Sequence, residues 1–182
     1  MSEILGYDST TLREIVDPEA CQSRLDEISS QRSLPALLER VWLLKVLQRL
    51  DEAQALSEET VRLARMAGTR KDLLRARVLH ATVLQFQGRH EHADQILFHV
   101  AEEAEGQGWL GIAAFAHQHH GKNAYEAGDW EQARESFKRT LFLRQETGAD
   151  SAALESVLLA IEAVERRRSD EGSAALDSVL LG

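Results

Sequence analysis

The sequence predicts an all-α fold in which antiparallel helical hairpins are stacked with a period of 40 residues. Two series of small residues recur at this interval: Ala53, Ala93 and Ala133, and Gly68, Gly108 and Gly148. Each glycine follows its alanine by 15 residues, so the two series share one register. A fixed period of this length is the sequence signature of a repeat architecture.

The composition also favours helices. Of the 182 residues, 43% are hydrophobic, only 5% are aromatic and only 2 are proline. Aromatic residues are enriched in strands, whereas Leu, Glu and Arg lose little side-chain freedom in a helix. A chain of this length can bury a substantial core as a single domain.

Apolar periodicity indicates two helices in each repeat. Residues spaced three and four apart mark an amphipathic second helix over 51–67, 90–105 and 129–147. An apolar-rich first helix precedes each of these, over 34–48, 73–87 and 110–127. Because few residues join the two helices of a pair, the pair must pack antiparallel. Each glycine of the 40-residue series follows a second helix, where a left-handed cap is expected.

Capping signals predict the start of the stack. Asp17 precedes Pro18 as an N-cap precedes a proline at the first helical position, which indicates a capping helix over 18–29. Thr69 and Asp72 resemble a capping box at the start of the first helix of the second repeat. The first dozen residues are expected to be loose.

The other end of the chain is less regular. Asp150 is placed to cap a helix that runs to about residue 167. Its last arginines, at 166–168, would suit the negative end of the helix dipole. A final short helix is predicted over 172–181.

The third repeat resembles a known family most closely. It has a glycine in the first helix, a glycine–acid–aromatic turn, and an alanine and a large aromatic in the second helix: Gly121, Tyr125, Gly128, Asp129, Trp130, Ala133 and Phe137. The second repeat keeps Ala81, Gly88, Ala93 and Leu97, and the first keeps Val41, Ala53 and Leu63. This pattern resembles the tetratricopeptide repeat (TPR) family, in a long-helix variant. The aromatic that the family has early in its first helix is replaced here by Leu37, Arg77 and His117.

The resemblance implies a right-handed superhelical stack whose first helices line a concave, peptide-binding groove. It implies one TPR-like domain, made of a tail and capping helix (1–32), three repeats (33–68, 69–108 and 109–148) and degenerate capping helices (149–182). Carried onto this sequence, the groove positions are Trp42, Lys45, Arg75, Gln85, Gln118, Lys122 and Tyr125.

This predicted groove is cationic, although the protein is acidic. The formal net charge of −9 argues against a nucleic acid partner, because an acidic surface repels phosphate backbones. The groove nevertheless collects Lys45, Arg75 and Lys122 beside the aromatic Trp42 and Tyr125. Cations and aromatics suit an acidic peptide or a free carboxylate. We therefore expect a protein-interaction scaffold that binds an acidic or carboxylate-bearing segment.

The sequence also predicts the cellular setting. Residues 1–16 lack the basic start and long apolar run of a secretion signal. No stretch approaches the roughly 18 apolar residues that a bilayer span needs, so no membrane partner is expected. Cys21 is the single cysteine, which precludes an intrachain disulfide. A reducing cytoplasm is the expected location.

The histidines leave a sensory module open as an alternative. All seven lie between His80 and His120, which occupy equivalent repeat positions and could approach each other across the stack. A small-ligand or metal sensor is one interpretation, and partly buried packing histidines are the simpler one. No metal site, cofactor or enzymatic activity is predicted. The glycines of segment 106–111 match the dinucleotide fingerprint but lack the preceding strand that it requires.

A self-associating structural module is the other alternative. The end of a solenoid exposes an apolar face unless a capping element covers it. Near the C-terminus, Val157, Leu158, Ile161 and Val164 form such a stripe. A short tail would cover it incompletely through Leu176, Val179 and Leu180. A homodimer through this end is therefore predicted as an alternative use of the fold.

Overall fold

The computed structural model describes residues 4–8 and 10–180, without the side chains of 172–180. The helices in this part of the chain are α1 (Pro18–Glu27), α2 (Leu34–Val46), α3 (Leu50–Ala67), α4 (Arg70–Phe86), α5 (His90–Gly106), α6 (Leu110–Ala127), α7 (Trp130–Glu146) and α8 (Ser151–Leu180). Two short strands, β1 (Ile4–Tyr7) and β2 (Glu14–Val16), precede them. The predicted all-α fold is confirmed, with a small hairpin added at its start.

The helices pack in sequence order as a stack of hairpins. Helices α2 and α3, α4 and α5, and α6 and α7 form the three predicted pairs, and each pair packs on the next. The first helices also contact one another, α2 with α4 and α4 with α6. They therefore form one continuous row, which is the face that the family resemblance implies as the groove.

Small buried residues let the two helices of each pair approach closely. Ala53, Ala93 and Ala133 are fully buried, as the 40-residue register predicted. Gly121 of α6 lies directly against the ring of Phe137 of α7. A single hairpin cannot bury its apolar stripe alone, so stacking completes the core.

The turns follow the predicted glycine pattern with one exception. Gly108 and Gly148 have positive φ angles of 68° and 65°, the left-handed caps that we predicted. Gly68 does not, because its φ is −92°. Only two residues separate α3 from α4, against three between α5 and α6, so the residue after Gly68, Thr69, must already serve as the N-cap of the next helix. A separate turn joins α2 to α3, and there Gln48 has a positive φ of 60°. This left-handed conformation is costly for a residue other than glycine.

The capping box at the start of α4 is confirmed. The Thr69 hydroxyl accepts a hydrogen bond from the Asp72 amide at 3.2 Å, and the Asp72 carboxylate accepts one from the Thr69 amide at 3.0 Å. Helix α4 therefore begins at Arg70, three residues before the predicted start. The reciprocal bonds satisfy amides that the first helical turn leaves without partners.

The C-terminal segment differs from the prediction. Instead of a helix to residue 167 followed by a short one, α8 is a single helix of 30 residues. Its arginines therefore do not end a helix: Arg167 donates to the Tyr125 hydroxyl at 3.3 Å, and Arg168 pairs with Glu131 of α7 at 3.0 Å. The predicted cover by the tail falls on Leu176, Val179 and Leu180, which lie outside the described side chains.

The first dozen residues were predicted to be loose, and for residues 4–8 and 10–12 this prediction is wrong, whereas residues 1–3 and 9 lie outside the described residues. Strands β1 and β2 pair antiparallel, with Tyr7 opposite Glu14 and an irregularity between Ile4 and Gly6. Asp8 holds the connecting loop through bonds from the Thr11 amide and hydroxyl at 2.6 and 2.9 Å. Leu12 adopts a φ of 59° and buries its side chain in the core shared by α6, α7 and α8.

Candidate functional site

The hairpin lies on the row of first helices and places one carboxylate between two lysines. Glu14 of β2 is 3.7 Å from the ammonium of Lys45 of α2 and 3.4 Å from that of Lys122 of α6. Lys45 is 1% exposed and Lys122 is 7% exposed, so both cations are held under the hairpin. We call this pair of lysines the lysine clamp.

Burial and charge act against each other at the lysine clamp. Burial alone would raise the pKa of Glu14, but the two ammonium groups outweigh it and lower that pKa to about 2. Burial lowers the pKa of Lys45, and the Glu14 carboxylate opposes this shift. Glu14 is therefore ionised at neutral pH, and it is the group that makes burial of the two lysines tolerable.

Further contacts fix the hairpin around this ion cluster. Arg13 donates two hydrogen bonds to Glu126 of α6, at 2.7 and 2.6 Å. Its guanidinium lies 4.2 Å from the ring centroid of Phe86 of α4, and the Lys45 ammonium lies 4.6 Å from the same ring. The Lys122 ammonium lies 4.8 Å from the ring of Tyr7. Cationic side chains therefore lie over aromatic rings where the hairpin meets the three first helices.

His119 adds a fourth titratable group to this cluster. Burial, together with the nearby Lys122 and Lys45, lowers its pKa to about 3, although Glu14 acts in the opposite direction. The imidazole is therefore neutral at neutral pH. Its ring also makes an edge contact with Phe115, with centroids 4.7 Å apart, which connects the lysine clamp to the rest of the row.

The predicted groove residues divide into two groups. Lys45 and Lys122 do meet at Glu14 on the row of first helices, and Gln118 lies beside Lys122 in a cavity of about 100 Å³ under the hairpin. Tyr125 instead packs in the core with α7 and α8 and has its ring edge-on to Trp130 at 5.2 Å. Gln85 is also buried. The expectation that Tyr125 faces the groove is therefore wrong.

Trp42 of α2 and Arg75 of α4 lie closer to the amino-terminal ends of their helices than Lys45 and Gln85 do. Trp42 is half-buried and packs against the N-terminal core cluster. Arg75 is exposed, and its guanidinium lies 3.6 Å from Asp72 one turn earlier. Lys45 and Lys122, in contrast, are buried, although a position in a groove predicts exposed side chains. Reversal of their charge would therefore be expected to disturb folding as well as binding.

The row of first helices also has a pocket that no hairpin residue lines, which we call the open pocket. It has a volume of about 690 Å³ and lies at the amino-terminal ends of α4 and α6. It is lined by Leu38, Lys71, Arg75, Leu79, Gly108, Trp109, Leu110, Gly111, Ile112 and Phe115. Lys71 lies 5.3 Å from the ring centroid of Trp109. The lining has two cations and no carboxylate.

Sequence reasoning missed most of the open pocket, including its cation Lys71 and its aromatic residues Trp109 and Phe115. Phe115 stands 40 positions after Arg75, so the repeat register could have identified it. Lys71 and Trp109 lie at the start of a first helix and in the linker before the next one, where helical periodicity gives no signal.

The histidines outside the lysine clamp have separate partners. His80 is 2.8 Å from the Ser57 hydroxyl, His120 is 2.6 Å from Asp94, and His117 is 2.7 Å from Glu105. His80 and His120 thus each contact a preceding second helix. Within the described residues, no three His, Cys, Asp or Glu side chains are grouped as metal ligands. The described helices include none that is long and apolar enough for a bilayer.

Comparison with known proteins gives a relationship of fold. No protein-family model matches the chain, and no curated protein matches it. Among solved structures, the chain is similar to BtubC (BKLC) from P. vanneervenii, with a TM-score of 0.64. The similarity covers 90% of this chain and 73% of that one at 16% sequence identity. At this identity the similarity establishes the shared helical architecture.

Proposed function

We propose that this protein is a TPR-type scaffold that binds a protein segment in the open pocket of its concave face. The observation that carries the proposal is the lining of that pocket: apolar and aromatic side chains with Lys71 and Arg75, and no carboxylate, in a protein of net charge −9. An acidic chain does not by default place two cations, and no carboxylate, in the lining of an apolar pocket, so this arrangement favours a ligand of complementary charge.

The pocket chemistry indicates the kind of segment. Leu79, Trp109 and Phe115 offer apolar surface for one large side chain, since buried aromatic contacts dominate the energetics of such interfaces. Lys71 and Arg75 then suit an aspartate or glutamate close to that side chain, because charge-assisted hydrogen bonds to carboxylates are strong. Binding of a protein segment is proposed rather than catalysis, and a cytoplasmic protein is the expected partner.

A peptide-display selection on the full-length protein tests this function. We expect the enriched peptides to carry an acidic residue within a few positions of a large apolar one. Reversal of Arg75 to Glu should weaken the selected peptides roughly tenfold, about 1.4 kcal/mol. It should leave stability nearly unchanged, because exposed charges contribute little to folding.

Lys138 of α7 provides the matched control. It is exposed and lies outside the pocket, so Lys138→Glu makes the same charge change elsewhere on the protein. Equal weakening by Lys138→Glu and Arg75→Glu would indicate a general charge effect. Peptides without acidic residues, or peptides that bind Arg75→Glu as tightly as the wild type, would contradict the assignment of the pocket.

A further inference from the structure

The lysine clamp has more positive charge than the helices around it can neutralise. In the described structure, the carboxylate that pairs with Lys45 and Lys122 is Glu14, and it comes from the hairpin. The nearby acidic group on a helix, Glu126, is bound by Arg13, which also belongs to the hairpin. With the hairpin removed, α2 and α6 would therefore present two adjacent lysines and one glutamate to solvent.

The hairpin is built as a separable element. Ladder hydrogen bonds join β1 only to β2, and the hairpin contacts the helices through side chains: Tyr7, Leu12, Arg13, Glu14 and Val16. A two-stranded hairpin by itself is at best marginally stable in water. Four of its apolar side chains are at least 41% exposed: Ile4, Leu5, Tyr7 and Ile15. The helical stack, in contrast, has clusters formed by its own helices.

The clamp and the open pocket form one continuous surface. Phe115 lines the open pocket and contacts His119, which lies beside Lys122 and Lys45. Both regions lie on the same row of first helices, α2, α4 and α6. An extended segment anchored in the open pocket would therefore reach the clamp if the hairpin were absent.

We propose that the N-terminal hairpin is a displaceable occupant of the groove, and that the lysine clamp is a second carboxylate site for the bound partner segment. Glu14 then mimics an acidic residue of the partner. The inference rests on the proposed function, because the partner segment must enter through the open pocket. It adds that the segment carries a second carboxylate, placed to replace Glu14.

A peptide with the sequence of residues 4–17 serves as the probe, added in trans to the full-length protein. Its binding is measured to the wild type and to Glu14→Gln, in which the hairpin loses the carboxylate that the clamp holds. We expect the probe to bind Glu14→Gln about tenfold more tightly than the wild type, since its site is no longer occupied. A probe with glutamine in place of its own Glu14 should lose that gain.

Hydrogen exchange of the same proteins reports on the hairpin directly. Amides of β1 and β2 should exchange faster in Glu14→Gln, whereas amides of α4 to α7 should keep their protection. Glu126→Gln is a second way to weaken the contact between the hairpin and the helices, because it removes the carboxylate that binds Arg13 and leaves Glu14 in place. Glu135→Gln, an exposed carboxamide change on α7, is the matched control and should behave as the wild type.

Three results would overturn the proposal. The first is unchanged hairpin exchange in both variants, and the second is a probe that binds all proteins alike or binds none. The third is loss of helical signal in both variants, which would make the hairpin part of the folding core. None of these measurements depends on Lys71 or Arg75, so failure here is distinguishable from failure of the proposed function.

Discussion

Among the glycines described, Gly121 leaves the least room for a side chain. A Cβ atom added there would lie 2.7 Å from the Phe137 ring, a distance that requires the ring or the helix to move. Phe137 is fully buried, so the ring has little room to yield. The glycine in α6 and the large aromatic in α7 therefore form one steric unit, which explains why both stand out in the sequence pattern.

Gly121→Ala is expected to destabilise the protein. The clash with Phe137 should lower the free energy of unfolding by roughly 1–3 kcal/mol, as overpacking of a core does. Gly111→Ala is the control, because Gly111 lies in the same helix with nothing within 4 Å of an added Cβ. That control should be stabilised by about 0.5–1 kcal/mol, since alanine favours helix over glycine. Urea unfolding followed by circular dichroism measures both, and equal stabilities would contradict the packing.

The limits of sequence reasoning at the residue scale are clear at the positions of Lys45, Gln85 and Tyr125. These residues are 40 positions apart and share one register, so one assignment was made for all three. The register lies at the boundary between the groove and the interior. A long lysine reaches the groove from such a boundary, because its stem can lie along apolar surface. The tyrosine ring turns instead into the core with α7 and α8.

At the scale of secondary-structure elements, the hairpin is an addition to the fold that the sequence did not predict. The helices were predictable because their apolar periodicity extends over many turns and recurs three times. Strands β1 and β2 have four and three residues, too few for alternation to give a signal. What holds them in place is contact with α2, α4 and α6, far away along the chain, and no local pattern encodes such contacts.

The hairpin contact should weaken as the pH falls. His119 has a pKa near 3 in the folded protein against an ordinary 6.5, and Glu14 has one near 2 against 4.5. Both values are lowered, so both groups bind fewer protons in the folded state than in the unfolded state. The stabilising contribution of each group is complete when the pH is above the ordinary pKa of that group. It is lost between about 6.5 and 3 for His119, and between about 4.5 and 2 for Glu14.

Amide NMR signals of β1 and β2 through a pH titration measure this loss. The charges that face the two groups come from Lys45 of α2, Lys122 of α6 and Arg144 of α7. We expect the hairpin signals to change below about pH 6.5, and His119→Gln should delay the change until about 4.5. His99→Gln, an exposed control on α5, should follow the wild type. Hairpin signals unchanged down to pH 4 would contradict the role of His119.

At the scale of the whole molecule, the charge of the row of first helices differs from that of the protein. The protein is acidic overall, yet this row has Lys71 and Arg75 in the open pocket and Lys45 and Lys122 under the hairpin. Of these four cations, sequence reasoning had selected Lys45, Arg75 and Lys122. It could not predict that half of the row is covered, because the covering segment was not recognised as structured.

The C-terminal end of the stack differs from the predicted apolar stripe. Val157 and Val164 are buried, because this face of α8 packs on α7. Among the described side chains of α8, the large apolar ones that are exposed are Leu158 and Leu159, at 46% and 56%. Leu159 also lines the small cavity that Tyr7 of the hairpin lines. An apolar surface is thus present at this end, although it is formed by residues other than the buried valines.

Self-association through α8 is the remaining prediction. Burial of Leu158 and Leu159 against a second copy would remove apolar surface from water, at about 25 cal/mol per Å². We expect light scattering to detect a dimer at high concentration, and a Leu158→Lys, Leu159→Lys double variant to shift it to the monomer. Phe98→Lys, an equally exposed apolar position on α5, is the control and should leave the dimer intact. If the wild-type protein stays monomeric at millimolar concentration, Leu158 and Leu159 do not mediate self-association. If Phe98→Lys abolishes the dimer equally, the dimer contact is not specific to α8.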